Sequence, residues 1–154
     1  MLCFAQAAAD DELFLYELYS ATRRNELSAL GWDDSQMNAF LRMQFDAQRH
    51  SYRAHYPNLL QRIIFKNEER VGQISSAVTE QSVVLVDIAI LPVYRNLGIG
   101  TRLLTELKET ARQQGKSVRL HVLQHNPAQR LYARLGFGVT GEQFPYVAME
   151  WNES

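Results

Sequence analysis

The residues best suited by type and spacing to do chemistry lie in one run, Ile88-Ala89-Ile90-Leu91-Pro92-Val93-Tyr94-Arg95-Asn96-Leu97-Gly98-Ile99-Gly100-Thr101. An apolar, β-branched stretch leads into a short loop with two glycines, and a helical pattern follows. The backbone N–H groups at such a helix start have no partner within the helix and point outward. With the positive end of the helix dipole they form a site for an anion. Gly98 and Gly100 let the backbone come close to a pyrophosphate, where a Cβ would obstruct it. Arg95 adds a charge-assisted contact. Two other glycine-loop readings fail on residue type. A P-loop needs Lys followed by Ser or Thr after its last glycine, and Thr101-Arg102 stands there instead. A dinucleotide fingerprint needs a third glycine where Leu103 stands, and an acid about 20 residues on, where Arg119, Leu120 and His121 stand.

The surrounding pattern supplies the elements that must position this run. Residues 2–6 read as a first strand. Asp10 and Asp11 are helix-start signals, Leu13, Leu15, Tyr16, Leu18 and Tyr19 give an apolar face, and Gly31 stops the helix after about Leu30. Asp33, Asp34 or Ser35 caps a second helix, whose Met37, Phe40, Leu41, Phe45, Gln48 and Tyr52 recur at helical spacing until Pro57. Residues 61–66 and 71–79 read as a hairpin around a turn at 67–69. Residues 83–90 are nearly all apolar and suit a central strand buried on both faces. Residues 101–114 form an amphipathic helix with Leu103, Leu104, Leu107 and Ala111 inward and Gly115 as its cap. A strand at 117–123, a short helix at 127–135 and strands at 137–140 and 146–151 complete an α+β protein. Its sheet is mixed and mostly antiparallel, flanked by helices.

Composition narrows the function. The chain has 154 residues, 46% hydrophobic and 21% charged, which fits a single packed domain over residues 1–154. Its one cysteine, Cys3, cannot close an internal disulfide, reads as a small core residue, and leaves a reducing, cytoplasmic setting as the expectation. No metal-ligand spacing occurs, so no metal is expected. The N-terminus has no Lys or Arg before Arg23, unlike a signal peptide, and the apolar run 83–93 is too short for a bilayer. The pI of 6.4 argues against general nucleic-acid binding. The net charge of −1 hides a split: residues 10–60 carry −3 and residues 95–134 carry +6. That asymmetry fits an anionic ligand on one half and a cationic one on the other, or simply solvated helix faces.

With Arg95, Gly98 and Gly100 between an apolar strand and a long helix, and with Asn126, Tyr132 and Leu135-Gly136-Phe137 further on, the chain resembles the GNAT family of N-acetyltransferases over about residues 63–151. The resemblance implies the acyl-CoA N-acyltransferase fold, acetyl-CoA as co-substrate and an amine as acceptor, with homodimers common. It implies that the pantetheine arm adds like a strand to Ile88, Ala89 and Ile90. The pyrophosphate would rest on the amides of Asn96, Leu97, Gly98, Ile99, Gly100 and Thr101, Asn126 would hold the pantetheine, and Tyr132 would face the sulfur. One departure stands out: five residues separate Asn126 from Tyr132 where many members have six.

The implied reaction is direct attack of the amine on the thioester. An alkylamine of pKa about 10.4 is only about one part in 2,500 neutral at pH 7, so a base is needed. His121, on the strand before Asn126, and Asp87, inside the apolar run, are both open as that base, as is a water chain. The oxyanion would be met by the backbone N–H near Ala89 or Ile90. By the resemblance Tyr132 is the candidate acid that would protonate the leaving thiolate; the other reading is a core aromatic of the short helix. The acceptor, a small amine or amine-bearing peptide, would bind between the first two helices and the strands carrying Asp87 and His121. Gln44, Phe45, Gln48 and Tyr52 either line that cleft or belong to the core. The rival functions are a non-catalytic acyl-CoA-binding or regulatory module and a nucleotide-binding domain of another kind.

Overall fold

A computed structural model describes residues 2–153. In chain order the elements are β1 (Leu2–Gln6), α1 (Glu12–Leu27), α2 (Asp34–His55), β2 (Leu60–Lys66), β3 (Glu69–Val78), β4 (Ser82–Ile90), α3 (Ile99–Gln113), β5 (Ser117–Leu123), α4 (Ala128–Arg134), β6 (Gly138–Gln143) and β7 (Tyr146–Trp151). The seven strands lie in the order β1-β2-β3-β4-β5-β7-β6. β4 and β5 are parallel, while β1 with β2, β5 with β7 and β6 with β7 are antiparallel. This is the mixed α+β sheet that the spacing predicts. The chain divides into two compact units, residues 2–75 with 87–95, and residues 76–86 with 96–153.

In the first unit Leu15 of α1, Phe45 of α2 and Ile63 of β2 form a buried cluster, with Tyr16, Tyr19 and Phe65 packed on it. α1 gives way to a 3-10 turn at Ser28–Leu30 and ends where Gly31 takes φ +71°, a conformation that costs glycine little. α2 is capped reciprocally: Asp33 Oδ1 accepts from the Gln36 N–H at 2.8 Å, and Gln36 Oε1 accepts from the Asp33 N–H at 3.1 Å. Asp11 ties the start of α1 to the hairpin. Its carboxylate accepts the Ala8 N–H at 2.9 Å and Arg70 Nε at 2.8 Å. Burial alone would raise the pKa of Asp11, but the Ala8 N–H and the Arg70 guanidinium outweigh it and hold the value below the ordinary one.

In the second unit α3 buries Ile99, Leu103, Leu104, Leu107 and Ala111. The Ser82 and Ser117 hydroxyls meet at 2.8 Å where β4 and β5 begin their pairing. α4 follows Pro127 and ends at Gly136, whose φ is +93°.

Four expectations need correction. Cys3 is exposed rather than core, because β1 is the first strand of the sheet and turns Leu2 and Phe4, not Cys3, toward cover. Leu13 is 68% exposed, since α1 buries only a narrow stripe containing Leu15 and Leu18. β4 is buried only over residues 82–85; residues 86–90 are half-buried, beyond the last pair that β4 makes with β5, Leu85↔Leu120. α3 begins at Ile99, two residues early, because that side chain is buried at 5% exposure and anchors the first turn.

Candidate active site

In the first unit the end of β4 is held by close backbone contacts. The Leu91 N–H donates to the Val71 carbonyl at 2.8 Å, and a Cβ on Gly72 would collide with the Ala89 carbonyl, so β3 must carry glycine there. Arg95 Nε donates to the Ile90 carbonyl at 3.2 Å and folds back on the strand that carries Ile88, Ala89 and Ile90. Pro92–Tyr94 form a single 3-10 turn between the strand and the glycine loop, and the Tyr94 hydroxyl donates to Glu69 at 2.5 Å.

Asp87 stands immediately before these three residues and is the anchor of a polar cluster. Gln73 of β3 donates Nε2–H to Asp87 Oδ2 at 2.7 Å. The Gln73 carbonyl oxygen in turn accepts from Ser75 Oγ at 2.8 Å and Gln61 Nε2 at 3.3 Å, which sets the amide so that its N–H faces the carboxylate. From α1 come Tyr19 and Arg23, one turn apart. The Arg23 guanidinium lies 3.7 Å over the Tyr19 ring and donates to Thr22 Oγ1 at 2.9 Å. Burial pushes the Asp87 carboxyl above the ordinary carboxylate range. The Arg23 charge, the Gln73 amide and the Ile88 N–H oppose that rise without cancelling it. Burial also raises the Tyr19 phenol, with Arg23 lowering it and Asp87 raising it further.

In the second unit the glycine loop takes the shape an anion requires. Asn96 has φ +63° and Gly98 has φ +81°, so two left-handed residues turn the chain into α3. The first ladder bond runs from the Arg102 N–H to the Gly98 carbonyl at 3.0 Å, which leaves the N–H groups of Ile99, Gly100 and Thr101 ahead of the ladder. Gly98 owes its identity to conformation, since a Cβ there would meet nothing within 4 Å. Gly100 differs: it sits inside the first turn, where a Cβ would meet the end of the Leu131 side chain at 3.4 Å. This cradle fits a pyrophosphate.

Asn126 Oδ1 accepts the Ala128 N–H at 2.9 Å, so the side chain is held at the start of α4 with its amide nitrogen still able to donate. Tyr132 is buried in α4, its ring 5.9 Å from that of Phe137. His121 is exposed on β5, on the same face as Arg119 and Leu123, in register with Ala148. Phe45 belongs to the core cluster and does not line a cleft; Gln44, Gln48 and Tyr52 are half-buried on α2. Among the described residues no three His, Cys, Asp or Glu side chains gather as a metal site, and no helix is long and apolar enough to cross a membrane.

Gln73, Tyr19 and Arg23 escape a reading of the sequence alone. The available signals are slight: a polar residue inside the strand pattern at 73, and an aromatic four residues before an arginine on α1.

The sequence matches the family described as acetyltransferase (GNAT) family over residues 13–137. No curated protein is a significant match. Among solved structures, the PaiA N-acetyltransferase from Thermoplasma acidophilum in complex with coenzyme A is 18% identical, with a TM-score of 0.75 and 99% of each chain covered. A GNAT-family acetyltransferase from Staphylococcus aureus is 18% identical, with a TM-score of 0.68 and 99% of each chain covered. The ribosomal-protein-S18-alanine N-acetyltransferase from Escherichia coli is 17% identical, with a TM-score of 0.66 and coverage of 100% of this chain and 96% of that one. At these identities the structural likeness speaks for the fold.

Proposed function

This chain belongs to the acetyltransferase (GNAT) family, and from that premise we propose how its residues transfer an acetyl group from acetyl-CoA to a primary amine. The observation that carries the reading is the start of α3: two left-handed residues, then N–H groups ahead of the helix ladder in a turn that has glycine at residue 100. The amides of Asn96, Leu97, Gly98, Ile99, Gly100 and Thr101 bind the pyrophosphate of acetyl-CoA, and the guanidinium of Arg95 adds charge. The backbone of Ile88, Ala89 and Ile90 pairs with the pantetheine arm, and the Asn126 amide nitrogen donates to it. When bound, acetyl-CoA supplies an acetyl group activated as a thioester.

Asp87 is the base. Of the open candidates it is the half-buried one, it adjoins Ile88, and burial raises its pKa, which makes it a stronger base than an ordinary carboxylate, whereas His121 is exposed on β5. The acceptor arrives as an ammonium and gives one proton to Asp87. Its nitrogen then forms the N–C bond as the C–S bond breaks. Tyr132 supplies a proton to the departing sulfur and is refilled by the second proton of the nitrogen, while Asp87 returns its proton to solvent. An N-acetyl product, free coenzyme A thiol and one proton result.

The test is a panel of amines, alcohols and peptides with acetyl-CoA, read by thiol release, together with thermal shift by CoA, NAD and ATP. Thiol release with amines alone and a shift with CoA alone are expected. Binding of CoA without turnover of any acceptor would make the chain an acyl-CoA-binding module instead, and a larger shift with NAD would overturn the loop assignment.

A further inference from the structure

Asp87 and Arg23 are a pair of opposite charges that do not join. Each is tied to its own neighbours: Asp87 to Gln73 of β3 at 2.7 Å, Arg23 to Thr22 at 2.9 Å, with its plane on the Tyr19 ring at 3.7 Å. No ion pair within 4.0 Å links the two among the described residues, although Asp87 feels the charge of Arg23. The geometry holds both on one face of the first unit. Tyr19 packs on the cluster that contains Ile63, and Gln61, two residues before Ile63 on β2, bonds to Gln73. A carboxylate and a guanidinium held this way form a dipolar receptor, because bridging them would require a ligand with the reverse charges.

We propose that Arg23 and Asp87 form the acceptor site for a zwitterion, an α-amino acid whose ammonium meets Asp87 and whose carboxylate meets Arg23. This rests on the N-acetyltransferase reading and narrows it to a substrate class. The planar fork of Arg23 suits bidentate recognition of a carboxylate. The same cation works against a diamine, whose second charge would face the guanidinium. It is indifferent to a peptide N-terminus, which presents an amide carbonyl in place of the carboxylate. The group transfer is the one already given, with the α-nitrogen forming the N–C bond and the C–S bond breaking.

The experiment compares kcat/KM for the common α-amino acids, their carboxamides, N-terminal dipeptides and linear diamines, with acetyl-CoA saturating. Loss of one hydrogen bond to a charged group corresponds to roughly 10- to 100-fold. The expected result is that at least one amino acid exceeds its own carboxamide by about that factor, that Arg23→Gln brings the two rates together, and that Arg23→Lys restores part of the difference. Equal rates for the amino acid and carboxamide in the wild type overturn the proposal. So does a diamine or dipeptide as the best acceptor, or an Arg23→Gln effect that lowers both rates alike; each leaves the N-acetyltransferase reading standing. Thiol release with no amine of any class overturns both.

Discussion

Substitution of Gly100 by alanine separates the needs of the fold from those of the ligand. An ideal Cβ at residue 100 would lie 3.4 Å from Leu131 Cδ2, an ordinary contact with the end of a flexible side chain, and no other atom comes close. The residue is inside α3, so alanine takes its backbone without strain. Gly→Ala at a compatible position stabilises by about 0.4–1 kcal/mol, chiefly by restricting the unfolded chain. For a chain of this size that is a rise in Tm of roughly 1–4 °C. The new methyl group stands where a phosphate oxygen must approach the amides to about 2.9 Å. Loss of one charge-assisted hydrogen bond weakens binding by about 10- to 100-fold. At a CoA concentration of 100 times the wild-type Kd, the wild type gains about 2.7 kcal/mol from ligand, and the variant about 0.4–1.4 kcal/mol. Differential scanning fluorimetry with and without CoA reads both numbers. The apo variant should melt higher than the wild type and respond less to CoA. An undiminished CoA shift would refute the placement of the pyrophosphate on this turn. A lower apo Tm would refute the claim that the fold has room at residue 100.

Asp87→Asn should lower kcat by about 10²- to 10⁴-fold. Because the folded-state pKa of Asp87 is raised, its stabilising effect is present below about pH 3.9 and lost as pH rises through the folded value. The stability of Asp87→Asn relative to wild type should therefore grow between pH 4 and pH 8 in chemical denaturation, and a flat difference would contradict the burial argument. Tyr132→Phe keeps the ring against Phe137 and should cut kcat by about 10²- to 10⁴-fold with little change in KM for acetyl-CoA; wild-type kcat under chemistry-limited conditions would make Tyr132 a packing residue. Asp11→Ala removes the tie to Ala8 and Arg70 and should cost about 1–2 kcal/mol at pH 7, roughly 2–8 °C in Tm. Since the pKa of Asp11 is lowered on folding, that contribution is present above about pH 3.9 and fades as pH falls through the folded value, so the two melting temperatures should converge in acid.

Sequence alone determined what depends on neighbours along the chain. The inward set of α3, a polar cap within residues 33–35 (Asp33 in the structure) and the stop at Gly31 follow from spacing and residue type, because a helix closes its hydrogen bonds within a few residues. The β2–β3 hairpin is legible for the same reason, with Asn67 and Glu68 in the left-handed turn between the strands. The left-handed turn at Gly98 that leads into α3 is local in the same way, and the proposed anion site rests on it. Tertiary structure decided what depends on strand register and on which side of a strand meets a helix. Nothing in the one-dimensional pattern says that Gly72 must make room for the Ala89 carbonyl, or that Gln73 aims its amide at Asp87. Nor does it say that Tyr19 and Arg23 of α1 belong to the surroundings of Asp87 rather than to solvent. Cys3 and Leu13 are exposed for the same cause: apolar side chains are buried only where another element covers them, and the side of β1 that carries Cys3 and the outer side of α1 lack that cover. The half-exposure of residues 86–90 is likewise invisible in their composition, because it follows from where the pairing of β4 with β5 stops.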